Sequence, residues 1–533
     1  GGRFSWAYRA ANALHVRTTP GVIARELLFS RGDCYESEEL RESERLLRAF
    51  GFLADAEITE DRQADGTVHV RVETRDEWST RVQPRLETDG RIQFRGIELV
   101  EDNLVGTGRH LSLFYDREDD QRIYGAGYST PHFLRTRTDM ALRVARTDVG
   151  EIVQQSITYP FVGEAGRFGF RQQIDRSDRY FEILIPNGNV PGRVWVPLRR
   201  EHAEVGAAIR RGEERYRYSI FGAAIAAERV TYPAEPIFAD STGRPTVPTA
   251  VFRPPWDPMS SVRVVGLVGR RDVEYVRRRG LDTVDGVEDV QLGFEGEISL
   301  GAAVPGISVD EDFAFAARAG WAGEPAPEIT WGITAGFEGR RMMGRLDGPA
   351  VRDVLAEANA WAYLRPWPER RHTVVGSIAA AGGWDTRVPF QLSLGARTGL
   401  RGYPRHLDPG GRRVVASLEH RAYLGWPAPS LFDLGSVAFL DVGKIWPGDV
   451  PFGIESPVRG AAGVGIRVGF PPGSRQTFRA DVGLPIQSEV GSRGVVVSVG
   501  VRQVIGRRVR LPDSQLRRSA NYGLSVSDFT SSY

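Results

Sequence analysis

The chain has 533 residues, with 69 Lys and Arg against 68 Asp and Glu, and its formal net charge of +1 gives no global field toward nucleic acid. Its single cysteine, Cys34, can form neither an internal disulfide nor a zinc site alone. No run approaches the roughly 20 apolar residues of a transmembrane helix, which leaves open a β-barrel, whose strands need only about 10 residues and show alternate ones to lipid.

The chain opens at Gly1 with neither a methionine nor the start of a signal peptide, and reads as a mature chain or a fragment. The first 18 residues carry no clear pattern. Thr19-Pro20 then suits a helix cap followed by proline at the first helical position, leading GVIARELLF. A second helix is expected from Ser37, with Glu38 and Glu39 in its first turn and Leu40, Leu47 and Phe50 at helical spacing. ADAEITE and TVHVRVET read as two strands joined by a turn at Asp65-Gly66. From Thr80 onward, segments of about 8–14 residues alternate apolar and polar, punctuated by Gly, Pro, Asp and Asn.

The alternation is clearest near the end. In RRVVASLEHRAYL, Val414, Ala416, Leu418, Ala422 and Leu424 share one face; Arg413, Ser417, Glu419 and Arg421 share the other. AAGVGIRVGF sets Val464, Ile466 and Val468 against Gly463, Gly465, Arg467 and Gly469, and TFRADVGL sets Phe478, Ala480, Val482 and Leu484 against Arg479, Asp481 and Gly483. GVVVSVGVR sets Val495, Val497, Val499 and Val501 against Ser498, Gly500 and Arg502. A soluble sandwich shares this period of two, but its polar faces meet bulk water and its core must match its many strands. Strand after strand here opposes a bland apolar stripe to an Arg/Asp/Gly stripe, as a lipid-facing wall around a wet interior requires. Closure is expected because an open edge in lipid leaves backbone groups unpaired. Roughly sixteen to twenty strands can be counted. Between 176 and 290 the count fails, because RSDRYFEILIPNGNVPGRVWVP and EPIFADSTGRPTVPTAVFRPPWDP read as long Pro/Gly loops, placed outside the cell.

Three separated stretches resemble the outer-membrane assembly-factor superfamily that includes BamA, TamA and the two-partner secretion transporters. VIARELLFSRGDCYESEELRESERLLRAFGFLADAEI resembles a POTRA (polypeptide-transport-associated) domain. GIELVEDNLVGTGRHLSLFY resembles the early barrel, where Asn103, Gly106 and Gly108 join two strands. LRGYP with FLDVGKIW resembles the family's arginine-glycine-aromatic loop and its Asp-x-Gly strand partner.

The resemblance implies a mainly β fold: a transmembrane antiparallel barrel of about sixteen strands after one small α+β POTRA domain in the periplasm. The expected domains are 1–77 (POTRA), 78–506 (barrel) and 507–533, a flexible, exposed tail. In the family the loop folds back into the barrel and its arginine meets acids on the inner wall. Carried over, Arg401, Gly402 and Tyr403 should latch onto Asp441 and Gly443, with Glu419 as second acceptor. The strand pattern agrees in placing Glu419 on a polar face and Asp441 and Gly443 opposite Leu440 and Val442. A guanidinium forks onto two carboxylates as lysine cannot. Glycines 463, 465, 469, 483 and 500 would leave the wall bare for the loop. The family also ends on a strand with a terminal aromatic, which GVVVSVGVRQVI lacks before its tail.

No catalytic constellation accompanies these motifs. The histidines (15, 69, 110, 132, 202, 372, 406 and 420) include no His-Glu-x-x-His pair. GTGRH and GAGYS lead into strands rather than helices, so no phosphate cradle is expected. DEDF and REDD read as solvated turn tips, offering calcium ligands by residue type alone. The expectation is a non-enzymatic factor without cofactor or metal that inserts or exports β-rich proteins. Its expected partners are unfolded outer-membrane or exported proteins, outer-membrane lipids, and periplasmic chaperones or accessory lipoproteins. A lateral seam would lie between the first barrel strand, marked by Thr80 and Pro84, and the last, marked by Val495 and Val501; Pro84 removes a ladder donor there. The rival expectations are a two-partner-type secretion pore and a passive diffusion channel.

Overall fold

The computed structural model describes residues 16–88, 92–118, 121–164, 166–186, 192–214, 216–240, 246, 256–343, 350–366, 371–426, 431–487, 496–503, 513–520 and 523–530. The small N-terminal unit has two helices, α1 (Pro20–Glu26) and α2 (Ser37–Ala49), then a hairpin of β1 (Leu53–Arg62) and β2 (Val68–Asp76). Pro20 opens α1 because the first helical N–H has no partner to lose. The hairpin turns at Gly66, whose φ of +85° suits glycine, and Asp65 accepts from the Thr67 N–H at 2.9 Å. Val22, Leu47, Phe50, Phe52 and Leu53 bury together as its core.

The rest is dominated by one antiparallel sheet closed into a barrel. Six strands of nine or ten residues come first: β3 (Thr80–Thr88), β4 (Ile92–Glu101), β5 (His110–Glu118), β6 (Gln121–Thr130), β7 (Asp139–Thr147) and β8 (Gly150–Tyr159). Longer ones follow in β9 (Phe168–Ile185), β10 (Gly192–Glu214) and β11 (Arg217–Thr231), then a three-residue β12 (Ile237–Ala239). The wall continues through β13 (Met259–Arg279), β14 (Val287–Ala303), β15 (Asp312–Ala326), β16 (Ile329–Met342), β17 (Val351–Leu364) and β18 (His372–Trp384). A loop then carries the short pair β19 (Leu392–Leu394) and β20 (Asp408–Gly410). The last wall strands are β21 (Arg412–Tyr423), β22 (Asp433–Trp446), β23 (Arg459–Gly469), β24 (Gln476–Pro485) and β25 (Val496–Gln503). The sheet closes where β25 meets β3.

The wall thus has twenty long strands plus β12 among the described residues, rather than about sixteen. Much of the difference lies in the stretch read as loops. Residues 176–185 continue β9, and β10 runs straight through Pro197. That proline is tolerated because β10 pairs β12 through Arg193–Trp195 and β11 only from Arg199, so Pro197 falls in a gap between partners on that side. Of EPIFADSTGRPTVPTAVFRPPWDP, the described residues contain only β12 as a paired segment.

The faces are inside out relative to a soluble protein. Leu418, Val464 and Ile466 are 51, 61 and 52% exposed on the outer face, whereas Glu419 and Arg467 are each 7% and Asp441 is 0% exposed on the inner one. The same alternation holds in β13, where Val264 and Val268 point out and Arg263 and Leu267 point in. A bare apolar exterior of this extent has no counterpart on a soluble monomer and fits a hydrocarbon surround.

The described residues of the tail are mostly covered rather than exposed. Among its described residues, α3 (Ser514–Arg517) and the turn Val526–Phe529 bury Leu516, Leu524, Val526 and Phe529 against the inner wall and the inserted loop. A polar, serine-rich composition reads as solvated. These few apolar anchors nonetheless find matching hollows in a lumen the sequence does not display as a cavity.

Candidate functional site

The loop 385–411 joins β18 to β21 and folds into the barrel, with β19 and β20 as its stem. Leu400 and Tyr403 are fully buried with Phe390, Leu392 and Leu394 in an apolar cluster against Val415, Ile445 and Ala461 of the wall. The lumen is therefore not uniformly wet. At this end it holds a dry core of its own.

At the tip of that loop Arg401 is clasped by two wall strands. Its Nε and Nη2 donate to Asp441 Oδ2 and Oδ1, each at 2.7 Å, and its backbone N–H donates to the same carboxylate at 3.1 Å. Nη1 donates to Glu419 Oε1 at 2.6 Å, and Nη2 also reaches Ser417 Oγ at 3.0 Å. The guanidinium carbon lies 3.7 Å from the centroid of the Phe439 ring. Fork, second acceptor and π-face use the whole planar cation, which lysine could not reproduce. Burial alone would lower the Arg401 pKa; Asp441 and Glu419 outweigh it and keep the group charged.

Glycines decide how closely the loop can approach. Gly402 has φ +90°, and a Cβ there would meet the Gly483 and Leu484 backbone at 2.9 Å. A Cβ on Gly443 would meet Leu394 Cδ1 of the loop at 2.8 Å. Tyr403 closes the contact, its hydroxyl donating to the Gly460 carbonyl at 3.0 Å. Of the glycines read as baring the wall, Gly483 touches the loop; Gly463 makes room for Phe439, while Gly465 and Gly469 face the wall carboxylates of Asp481 and Asp433. Gly402→Val combines a strained φ with a backbone clash, so a loss of about 1–3 kcal/mol is expected. It should be read as a lowered thermal midpoint, with Gly399→Val, where a Cβ finds only Val415 Cγ1 at 3.7 Å, losing less.

Asn103, Gly106 and Gly108 do join β4 and β5, but their turn is also a seat. Asn103 accepts from the Gly108 N–H and donates to Thr18, each at 2.8 Å. Gly106 has φ +73° and a Cβ there would run into the Arg17 carbonyl, while its own carbonyl accepts from the Thr19 N–H at 2.9 Å. A Cβ at Gly108 would meet Phe52 at 3.1 Å. The motif thus fixes the N-terminal unit to the barrel rim.

Around the same rim, Arg48 forks onto Asp289 at 2.8 Å for both bonds, and Arg137 donates to the Arg25 and Leu27 carbonyls that end α1. Glu42 accepts from the Glu164 N–H at 2.7 Å, and Arg45 bridges Glu42 to the Tyr275 ring. Burial would raise the Glu164 carboxyl, but Arg271, Arg210 and Arg45 hold it down at about 2.

Thr80 and Pro84 lie on β3, which neighbours β25 at the closure. Val501 is in β25 opposite Phe478 of β24, and Val495 lies outside the described residues. A shift in register between Arg85 and Leu86 adds to the irregularity that Pro84 gives β3.

The motifs gave no sign of an arginine ladder on the inner face of β11 to β17. Arg263 forks onto Asp312 at 2.8 and 2.7 Å and reaches Glu228 at 3.0 Å, and Arg340 bridges Asp312 at 3.2 Å and Asp353 at 2.9 Å. Asp353 then accepts from the Arg387 N–H at 2.6 Å, so the ladder also holds the loop's first residues. Its signal was the inward period-two placement of Arg and Asp, which sequence alone cannot pair across strands.

No family model matches the chain, and no curated protein matches it. Solved structures do. One is the crystal structure of BamA from Haemophilus ducreyi lacking POTRA domains 1–3, at 13% identity and a TM-score of 0.35, covering 91% of this chain and 82% of that one. CdiB from Escherichia coli matches at 11% identity and a TM-score of 0.46, covering 91% and 76%. CdiB from Acinetobacter baumannii matches at 10% and 0.35, covering 92% and 72%.

Proposed function

We propose that this chain is a non-catalytic factor of an outer membrane that assembles or translocates β-rich proteins. The observation that carries the reading is the loop latched inside an inside-out barrel by Arg401, Asp441 and Glu419. A lumen filled by its own loop and tail suits a regulated passage poorly matched to steady diffusion, which weighs against a passive channel. In this reading the N-terminal unit is a POTRA domain facing the periplasm, where its strands capture extended client segments by edge pairing. The β3–β25 closure is the lateral seam, and no cofactor or metal takes part.

Two-partner-type secretion is the second reading. It is favoured by the position of the loop and tail in the lumen, where their departure would clear a path along the barrel axis.

The experiment is reconstitution of the full chain in liposomes, followed by addition of a urea-unfolded outer-membrane barrel protein. Protease-protected, heat-modifiable client should accumulate faster than with empty liposomes, and less so after removal of residues 1–77. A client that folds no faster, beside a wide and steady ion conductance, would contradict the proposal and favour the channel.

A further inference from the structure

The tail lies in a groove built to receive it. Leu524 packs among Ala208, Ala224, Val265 and Leu267, and Phe529 against Phe161, whose ring also carries the Arg210 guanidinium at 4.1 Å. The hollows exist because wall side chains are missing. A Cβ would meet Leu524 at 3.4 Å from Gly206, Val526 at 2.8 Å from Gly269, and Phe529 at 3.1 Å from Gly169.

Half of the polar contacts in the groove address backbone. Glu297 accepts from the Val526 N–H at 2.7 Å and from Ser525 Oγ at 2.8 Å, and the Phe161 N–H donates to the Phe529 carbonyl at 2.8 Å. A second side-chain contact, Arg171 with Asp528, completes the set. Main-chain contacts recognise the shape of any segment, while hollows at fixed spacing select which positions must be apolar.

The barrel does not need this segment for its wall, since β25 already closes on β3 before the tail begins. The groove also opens beside the N-terminal unit: the turn 160–164 that holds Phe529 through Phe161 holds α2 through Glu164 and Glu42. A segment handed over by that unit would meet the groove first.

We propose that this groove is a lumenal binding site for a client segment that can take up the same turn, with apolar residues at i and i+2 and an aromatic at i+5, occupied between clients by the chain's own Leu524, Val526 and Phe529. The proposal rests on the client-handling function above.

The test uses the full chain in detergent and three labelled peptides: GLSVSDFT (residues 523–530), a foreign sequence with the same apolar and aromatic spacing, and that sequence with its aromatic moved by one. Against a Leu524→Ser, Phe529→Ser variant, the first two should bind about tenfold or more tighter than they bind the unaltered chain. The shifted peptide should not, and adding Gly269→Leu should abolish the gain. Equal binding by the foreign and shifted peptides, or no gain on emptying the groove, would overturn the proposal and leave the tail a fixed plug. Should the emptied variant not fold, the foreign peptide carrying benzophenone at its i+2 position is offered in excess to the unaltered chain. Labelling of β13 supports exchange, and its absence overturns it. Peptide binding without client folding in liposomes would sink the function alone; client folding without peptide binding would sink the groove alone.

Discussion

Replacing Arg401 with alanine should free the tip of the 385–411 loop from the wall at a local cost of about 3–5 kcal/mol, because removing one partner strands a buried carboxylate. The stranded group is Asp441, which accepts two of the side chain's hydrogen bonds; Glu419 loses a third but keeps Arg421 at 2.8 Å. Arg401→Lys should recover little, since an ammonium cannot fork onto Asp441, reach Glu419 and lie on Phe439 at once. The effect is local because the loop's apolar cluster and the Asp353 anchor remain. Limited proteolysis should therefore cut within 385–411 in the variant while the strands stay protected. An Arg401→Ala, Asp441→Asn double change should lose less than the sum of the single ones, as expected for residues sharing one interaction. Equal protease resistance in Arg401→Ala and the unaltered chain would show that the clasp contributes nothing.

Locking the seam should have the largest functional effect. With Cys34 replaced by serine, cysteines placed in pairs along Thr80–Thr88 and Val496–Gln503 can be oxidised across the β3–β25 closure. In the proposed mechanism, client insertion should fall to the empty-liposome rate when the bond forms and recover on reduction. The physical reason is that strands enter the bilayer only where an edge can open, since unpaired backbone is costly in lipid. A bond across β13 and β14, which share a 17-residue ladder, should leave insertion unchanged. Full insertion with the seam locked would eliminate lateral opening, while the secretion reading would survive.

Sequence periodicity reported face and strand where the wall is regular. The stretches around Leu418, Val464 and Phe478 alternate in structure as they do in sequence, because each side chain's face follows from position parity alone. The segment around Pro197 was harder, since a proline excludes a central strand unless the neighbouring strand is missing at that position. That depends on the ladder and not on local residues. The latch residues were marked by a motif, whereas Phe439 beneath Arg401 looked like one more wall aromatic. The tail was opaque for a related reason: Leu524, Val526 and Phe529 are too few to announce a core, and the hollows that receive them are made of residues that are absent. The turn at Asn103 was visible as a turn. Its second use, holding Thr18 and Phe52, requires knowing what lies across the rim.

Lipid contact along β21 tests the account most directly. Single cysteines from Arg412 to Tyr423, each carrying a fluorophore, would be read in liposomes of brominated lipid. Quenching should rise at Val414, Ala416 and Leu418 and vanish at Val415, Ser417 and Glu419, repeating every second residue around a charged, filled interior. Uniform quenching, or none at either set, would mean that the chain does not form an apolar-walled cylinder.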